Sequence, residues 1–161
     1  MITTSELAQA FERNLGIVEA QTRGLSHKQC LLQTPFRANC MNWVLGHMAE
    51  TRNSVCKSLG QAPIMTPEEA ARYKHGSDPV CGEGAGVLSL ERLLEMLKTS
   101  QQRIGAALPL MSQEDLAKMV KDHRGEVPLG NRLFFLYFHD TYHTGQTEQL
   151  RQLAGTNDKI I

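Results

Sequence analysis

Apolar residues recur along this chain at steps of three and four, while the period-two alternation of a half-buried strand is nearly absent. Four stretches carry the helical period. The first, residues 5–23, places Leu7, Phe11, Leu15 and Val18 on one side, with Leu25 beyond. Thr3 and Glu6 have the spacing of a capping box, in which each side chain accepts from the other residue's backbone N–H. Gly24 is its stop signal. The second, residues 40–59, has an inward stripe of Val44, His47, Thr51, Val55 and Leu59. Pro35 lies upstream, Asn39 is its expected cap and Gly60 its end. The third, residues 88–108, is capped at or just before Ser89 and closed by Pro109. Its stripe is Leu90, Leu94, Leu97, Gln101, Ile104 and Leu108. The fourth, residues 132–154, runs from a cap at Asn131 to Gly155.

Two long connections separate these helices. Residues 60–87 hold Pro63, Pro67 and Pro79 together with Gly82, Gly84 and Gly86. Within them Thr66-Pro67-Glu68-Glu69 reads as a short helix start with proline at the first helical position. In residues 109–130, Ser112-Gln113-Glu114-Asp115 starts another. Loops of this length in a compact domain are often functional, and they are expected to cover one end of the molecule. Four helices of about twenty residues and no strands predict an all-α fold. The expected architecture is a four-helix bundle whose long connections carry short extra helices.

Size and charge narrow the reading. A chain of 161 residues is one ordinary domain, so residues 1–161 are expected to form a single unit. With 41% hydrophobic and 21% charged residues it is globular rather than disordered. Lys+Arg and Asp+Glu balance at 17 each, which disfavours nucleic acid and anionic membrane as partners. No apolar run approaches the ~20 residues of a membrane span, and MITTSELAQAF lacks the features of a signal peptide. Cys30, Cys40, Cys56 and Cys81 show no Cys-x-x-Cys spacing. They read as reduced, buried thiols of a cytoplasmic protein.

The fourth helix carries the sharpest chemical signal. Its stripe is Leu133, Leu136, His139, His143, Gln146, Leu150 and Leu153, so two histidines and a glutamine stand where leucine is due. Residues four apart are neighbours on one helix face, with Cβ atoms roughly 5–6 Å apart, so both imidazoles reach one metal ion. The same spacing occurs on the zinc helix of HExxH proteases. Here Asp140 follows the first histidine, so the general base of that class is missing. A histidine pair alone reads equally as hydrogen-bonded core groups. His47 on the second stripe shifts the balance. Three inward histidines in one core are costly unless something binds them. Three protein ligands with one open position are the pattern of a catalytic zinc site.

NWVLGHMAE (Asn42 to Glu50) and HDTYHTGQ (His139 to Gln146) resemble the two signature segments of the DinB/YfiT-like superfamily of metal-dependent enzymes. That family shares only a name with a DNA polymerase. The resemblance implies a four-helix bundle with one histidine on the second helix and a His-x-x-x-His pair on the last. It makes His47, His139 and His143 the metal ligands and implies a divalent cation, most often zinc or nickel. Members with assigned activity include S-transferases that use bacillithiol and isomerases that use mycothiol, and dimers are common. The implied function is a thiol-dependent S-transferase or a hydrolase acting on a small molecule. A low-molecular-weight thiol would be co-substrate and the chain a homodimer. The alternative is a non-catalytic metal-binding or interaction protein of the same fold. Imidazole ligands suit several metals and do not choose among them.

Around the ligands, Glu50 and Gln146 are the candidate catalytic residues. Glu50 lies one turn after His47, placed to orient it or to move a proton, or else simply solvated. Gln146 is placed to orient a ligand or hold substrate, or else simply to hydrogen-bond a neighbouring helix. Trp43 reads as core. Tyr142 and Asp140 fall off the stripe, which favours packing roles, with the rim of the site as the alternative for Tyr142, and Gly145 is read as a site of close helix approach. Arg37, Arg52 and Arg132 are solvated or meet an anionic substrate. His27, His75 and His123 read as surface residues, with His123 the one in the loop that enters the fourth helix.

Overall fold

The computed structural model describes residues 2–122 and 125–160, so His123 lies outside the described residues. Four long helices form the bundle: α1 (Thr4–Thr22), α3 (Met41–Ser58), α5 (Leu90–Ala107) and α7 (Leu129–Leu153). Both α1 and α3 pack against α5 and α7, which sets α1 and α3 across the bundle from each other. Phe11, Val18, Leu45, Met48, Leu93, Leu97, Ile104 and Leu133 fill the space between them. The connections carry α2 (His27–Cys30), α4 (Pro67–Tyr73), a 3-10 turn (Leu108–Leu110) and α6 (Gln113–Ala117). Among the described residues no helix is long and apolar enough to cross a membrane.

Local chemistry explains most helix ends. Thr3 with Glu6, Thr66 with Glu69 and Ser112 with Asp115 all close capping boxes, and Pro67 occupies the first turn of α4. Ser89 caps α5 by accepting from the Arg92 N–H. Gly24, Gly60 and Gly155 each follow a long helix with positive φ, a conformation glycine adopts without strain.

Two caps differ from expectation. Asn39 does not cap α3; Cys40 takes that position without a side-chain bond, because its thiol is buried and donates to the Val80 carbonyl. Asn131 does not cap α7, which begins earlier, after Pro128. The Leu129 N–H donates to the Lys118 carbonyl at 2.8 Å, so tertiary structure satisfies what a side chain otherwise would.

Strands are present as well. β1 (Met119–Asp122) and β2 (Gly125–Pro128) pair antiparallel, with Val120 opposite Val127. Four residues each is too short a run for alternation to register in a sequence. The expected stripes also shift. On α5, Leu93 is buried and Leu94 only half-buried. On α7 the buried line passes through Leu133, Asp140, His143, Thr144, Thr147, Leu150 and Arg151, while Leu153 is exposed. Cys30, Cys40 and Cys56 are buried free thiols, whereas Cys81 is exposed.

The polar positions on α7 meet partners at the centre of the bundle. Arg52 and Asp140 are both fully buried and form a bidentate pair, Nε to Oδ1 and Nη2 to Oδ2, each 2.9 Å. The same guanidinium donates to the Phe11 carbonyl at 2.8 Å and approaches Gln101 Oε1 at 3.4 Å. Asn14 donates to Asp140 Oδ2 at 2.9 Å. Arg52 therefore does not meet substrate, and Asp140, off the expected apolar stripe, packs in the core as its ion-pair partner. Together they tie α1, α3, α5 and α7 at one level.

Candidate metal centre

α3 places His47 near its midpoint and α7 presents His139 and His143 one turn apart. The Nε2 atoms of His47 and His143 each lie 3.2 Å from Nε2 of His139. One ligand nitrogen from each residue lies within 4.8 Å of the other two. All three residues predicted as ligands thus converge.

The far nitrogens determine what faces inward. His47 Nδ1 lies 2.8 Å from the Tyr73 carbonyl oxygen. A carbonyl only accepts, so Nδ1 holds the proton and Nε2 presents a lone pair. His143 Nδ1 lies 2.8 Å from Gln146 Oε1, which gives His143 the same tautomer. His139 Nδ1 lies 3.3 Å from the Thr51 hydroxyl. At least two lone pairs therefore point at one spot, and His139 Nε2 has one proton at most to offer them. The remaining lone pair, at the wall of the site, is one that a cation can take up. Nitrogens 3.2 Å apart suit a single ion with metal–nitrogen distances of roughly 2.0–2.1 Å. Burial pushes the pKa of His47 and of His139 down to about 4 and lowers that of His143. All three are neutral at pH 7, the form that ligates.

Tyr73 reaches His47 because of a close approach. A Cβ at Gly46 would overlap the Tyr73 ring, so that ring lies directly on the α3 backbone. The Tyr73 hydroxyl donates to Asn42 Oδ1 at 3.0 Å and accepts from the Leu88 N–H at 2.8 Å. Asn42 in turn donates to the Leu88 carbonyl. This buried knot brings the last residue of α4 to His47. Trp43 stacks on the same imidazole, with centroids 4.7 Å apart, and donates to Ser77 Oγ. Gly145, by contrast, has open space around it.

Gln146 is placed where an orienting group is needed. Glu50 does not orient His47, whose far nitrogen is held by the Tyr73 carbonyl. It is half-buried, and burial raises its carboxyl pKa. Thr51 was visible on the stripe four residues from His47. The Tyr73 contact had no sequence signal, since any residue supplies a carbonyl. His27 pairs with Glu83 at 3.0 Å, away from the site.

The three imidazoles open onto a cavity of about 1000 Å³. Residues 34–39, Trp43, His75, Tyr142 and the last turns of α7 complete its lining. Residues 60–87 and 109–130 are the segments expected to cover one end of the bundle; among the described residues only His75 of these lines the cavity, and the α2–α3 connection supplies one wall.

Among solved structures, the crystal structure of a conserved protein from Enterococcus faecalis is similar, with a TM-score of 0.75 at 16% identity. The match covers 97% of this chain and 99% of that one, and at such identity it shows the shared fold alone. No curated protein matches the sequence. The DinB superfamily matches over residues 10–147, a span that includes all three histidines, Thr51 and Gln146. The chain belongs to the DinB superfamily.

Proposed function

We propose that the chain is a divalent-metal-dependent enzyme that joins the sulfur of a small thiol to an electrophilic acceptor. The observation carrying this reading is the meeting of imidazole lone pairs at the wall of a cavity of about 1000 Å³. That volume stands at the upper end of small-molecule sites, roughly 300–1,000 Å³, and leaves room for two reactants. His47, His139 and His143 would hold zinc or nickel. A divalent cation there acidifies a coordinated thiol or water. Gln146 fixes the ring of His143, and Trp43 and Tyr142 shape the space beside the ligands. The proton of a bound thiol would pass to solvent in the cavity, since Glu50 is not among the described lining residues. We further propose a homodimer in the reducing cytoplasm. Four unpaired cysteines favour the compartment, and the exposed Phe134, Phe138 and Tyr142 on α7 favour a partner copy.

The test begins with elemental analysis of protein expressed without a histidine tag, paired with thermal melts before and after chelation. The expected result is about one metal per chain and a lower melting temperature once it is removed. Metal-loaded protein is then given thiols and electrophiles in pairs. Matched consumption of both supports S-transfer. Electrophile loss without thiol consumption makes the chain a hydrolase. Bound metal with no turnover leaves a metal-binding protein. Absence of metal, even after zinc or nickel is added back, overturns the reading.

A further inference from the structure

Of the three arginines marked by the sequence as able to meet an anion, the structure separates one. Arg52 is saturated inside the core, and Arg132 lies outside the cavity lining. Arg37 lines the cavity. Among the described lining residues it is the one fixed cation, and no carboxylate stands among them. It has no ion-pair partner among the described residues, whereas Arg52 and Arg151 each grip a carboxylate in bidentate fashion.

The segment bearing Arg37 is tied at both ends. Upstream, Gln33 Nε2 donates to the Leu31 and Val80 carbonyls; downstream, the Cys40 thiol donates to that same Val80 carbonyl. Arg37 thus belongs to a six-residue wall, residues 34–39, of the cavity that the imidazoles also line, and it stands exposed at the rim. An unpaired cation at the mouth of a cleft attracts anions, an effect that salt screens where the group is exposed. A guanidinium is matched to a carboxylate by its two parallel donors.

We propose that Arg37 selects a thiol bearing a carboxylate, its sulfur directed at the three histidines and its carboxylate at the guanidinium. This inference rests on the S-transfer reading above, and the test separates the two. Cobalt(II)-loaded protein is titrated with ω-mercaptocarboxylates of one to five methylenes and with their neutral amides. Trp43 is the single tryptophan and lines the cavity, so its emission reports any ligand. Sulfur-to-cobalt charge-transfer absorption reports coordination separately.

At the matching chain length, the carboxylate is expected to bind about tenfold more tightly than its amide. Arg37→Gln should bring that ratio to within about twofold while leaving the amide's affinity unchanged. Arg37→Lys should keep part of the preference, because charge persists and the fork is lost. His75→Ala should retain it. Equal binding of acid and amide at every length overturns the role of Arg37. So does a preference that survives Arg37→Gln, or one that His75→Ala abolishes. An Arg37-dependent preference in Trp43 emission without charge-transfer absorption upholds anion selection and overturns S-transfer.

Discussion

A histidine ligand is only as well placed as the group on its far nitrogen. His143 depends on Gln146 and His139 on Thr51, while His47 depends on a backbone carbonyl that no substitution removes directly. His47→Ala, His139→Ala and His143→Ala are each expected to lose most bound metal. Thr51→Val and Gln146→Leu should keep the ligands but weaken metal binding by about 10- to 100-fold. His27→Ala, whose histidine pairs with Glu83 away from the site, should bind as the wild type does. Titration against a competing chelator measures all six. Equal affinity across them would sink the assignment.

At the scale of elements, α4 matters more than its seven residues suggest. A helix that short is unstable alone, and it stays in place because Tyr73 packs on Gly46. Gly46→Ala should displace the ring, costing about 1–3 kcal/mol of stability. It should also weaken metal binding, because the carbonyl holding His47 moves with the ring. Tyr73→Phe is the contrasting case. The ring remains, but Asn42 and the Leu88 N–H lose a partner, at a cost of about 1–2 kcal/mol. Its metal affinity should stay near that of the wild type. Urea unfolding of the metal-free proteins and metal titration together separate the two effects. If Gly46→Ala leaves metal affinity untouched, α4 does not position His47.

For the whole molecule, the Arg52–Asp140 pair decides how the four helices are clocked. It joins Phe11 and Asn14 on α1, Arg52 on α3, Gln101 on α5 and Asp140 on α7. Removing either charge strands the other in a dry core. Arg52→Met and Asp140→Leu alone should each cost about 3–5 kcal/mol. Together they should recover most of that loss, since no unpaired charge remains. A double-mutant cycle by urea unfolding reads the coupling. Additive losses would show that the pair is not the unit that matters.

Much of this was legible in the chain itself. Helical period, capping boxes and terminal glycines depend on residues within a few positions of one another, so the four helices follow from the sequence alone. The histidines stood out because His47, His139 and His143 interrupt apolar stripes, which is again a local pattern. Asp140 falls off the apolar stripe of α7 yet is buried, because this core accepts polar groups where partners exist. Those partners are remote: the Tyr73 carbonyl is 26 residues from His47, and Asn14 is 126 from Asp140. A backbone carbonyl leaves no mark in a sequence, and nothing local tells a saturated arginine from an unpaired one. The sequence by itself determined the four helical stretches and the three histidines that converge. Only the tertiary structure decided which nitrogens present lone pairs, and that Arg52 is buried in the core while Arg37 faces the cavity, because both depend on contacts made after the helices pack.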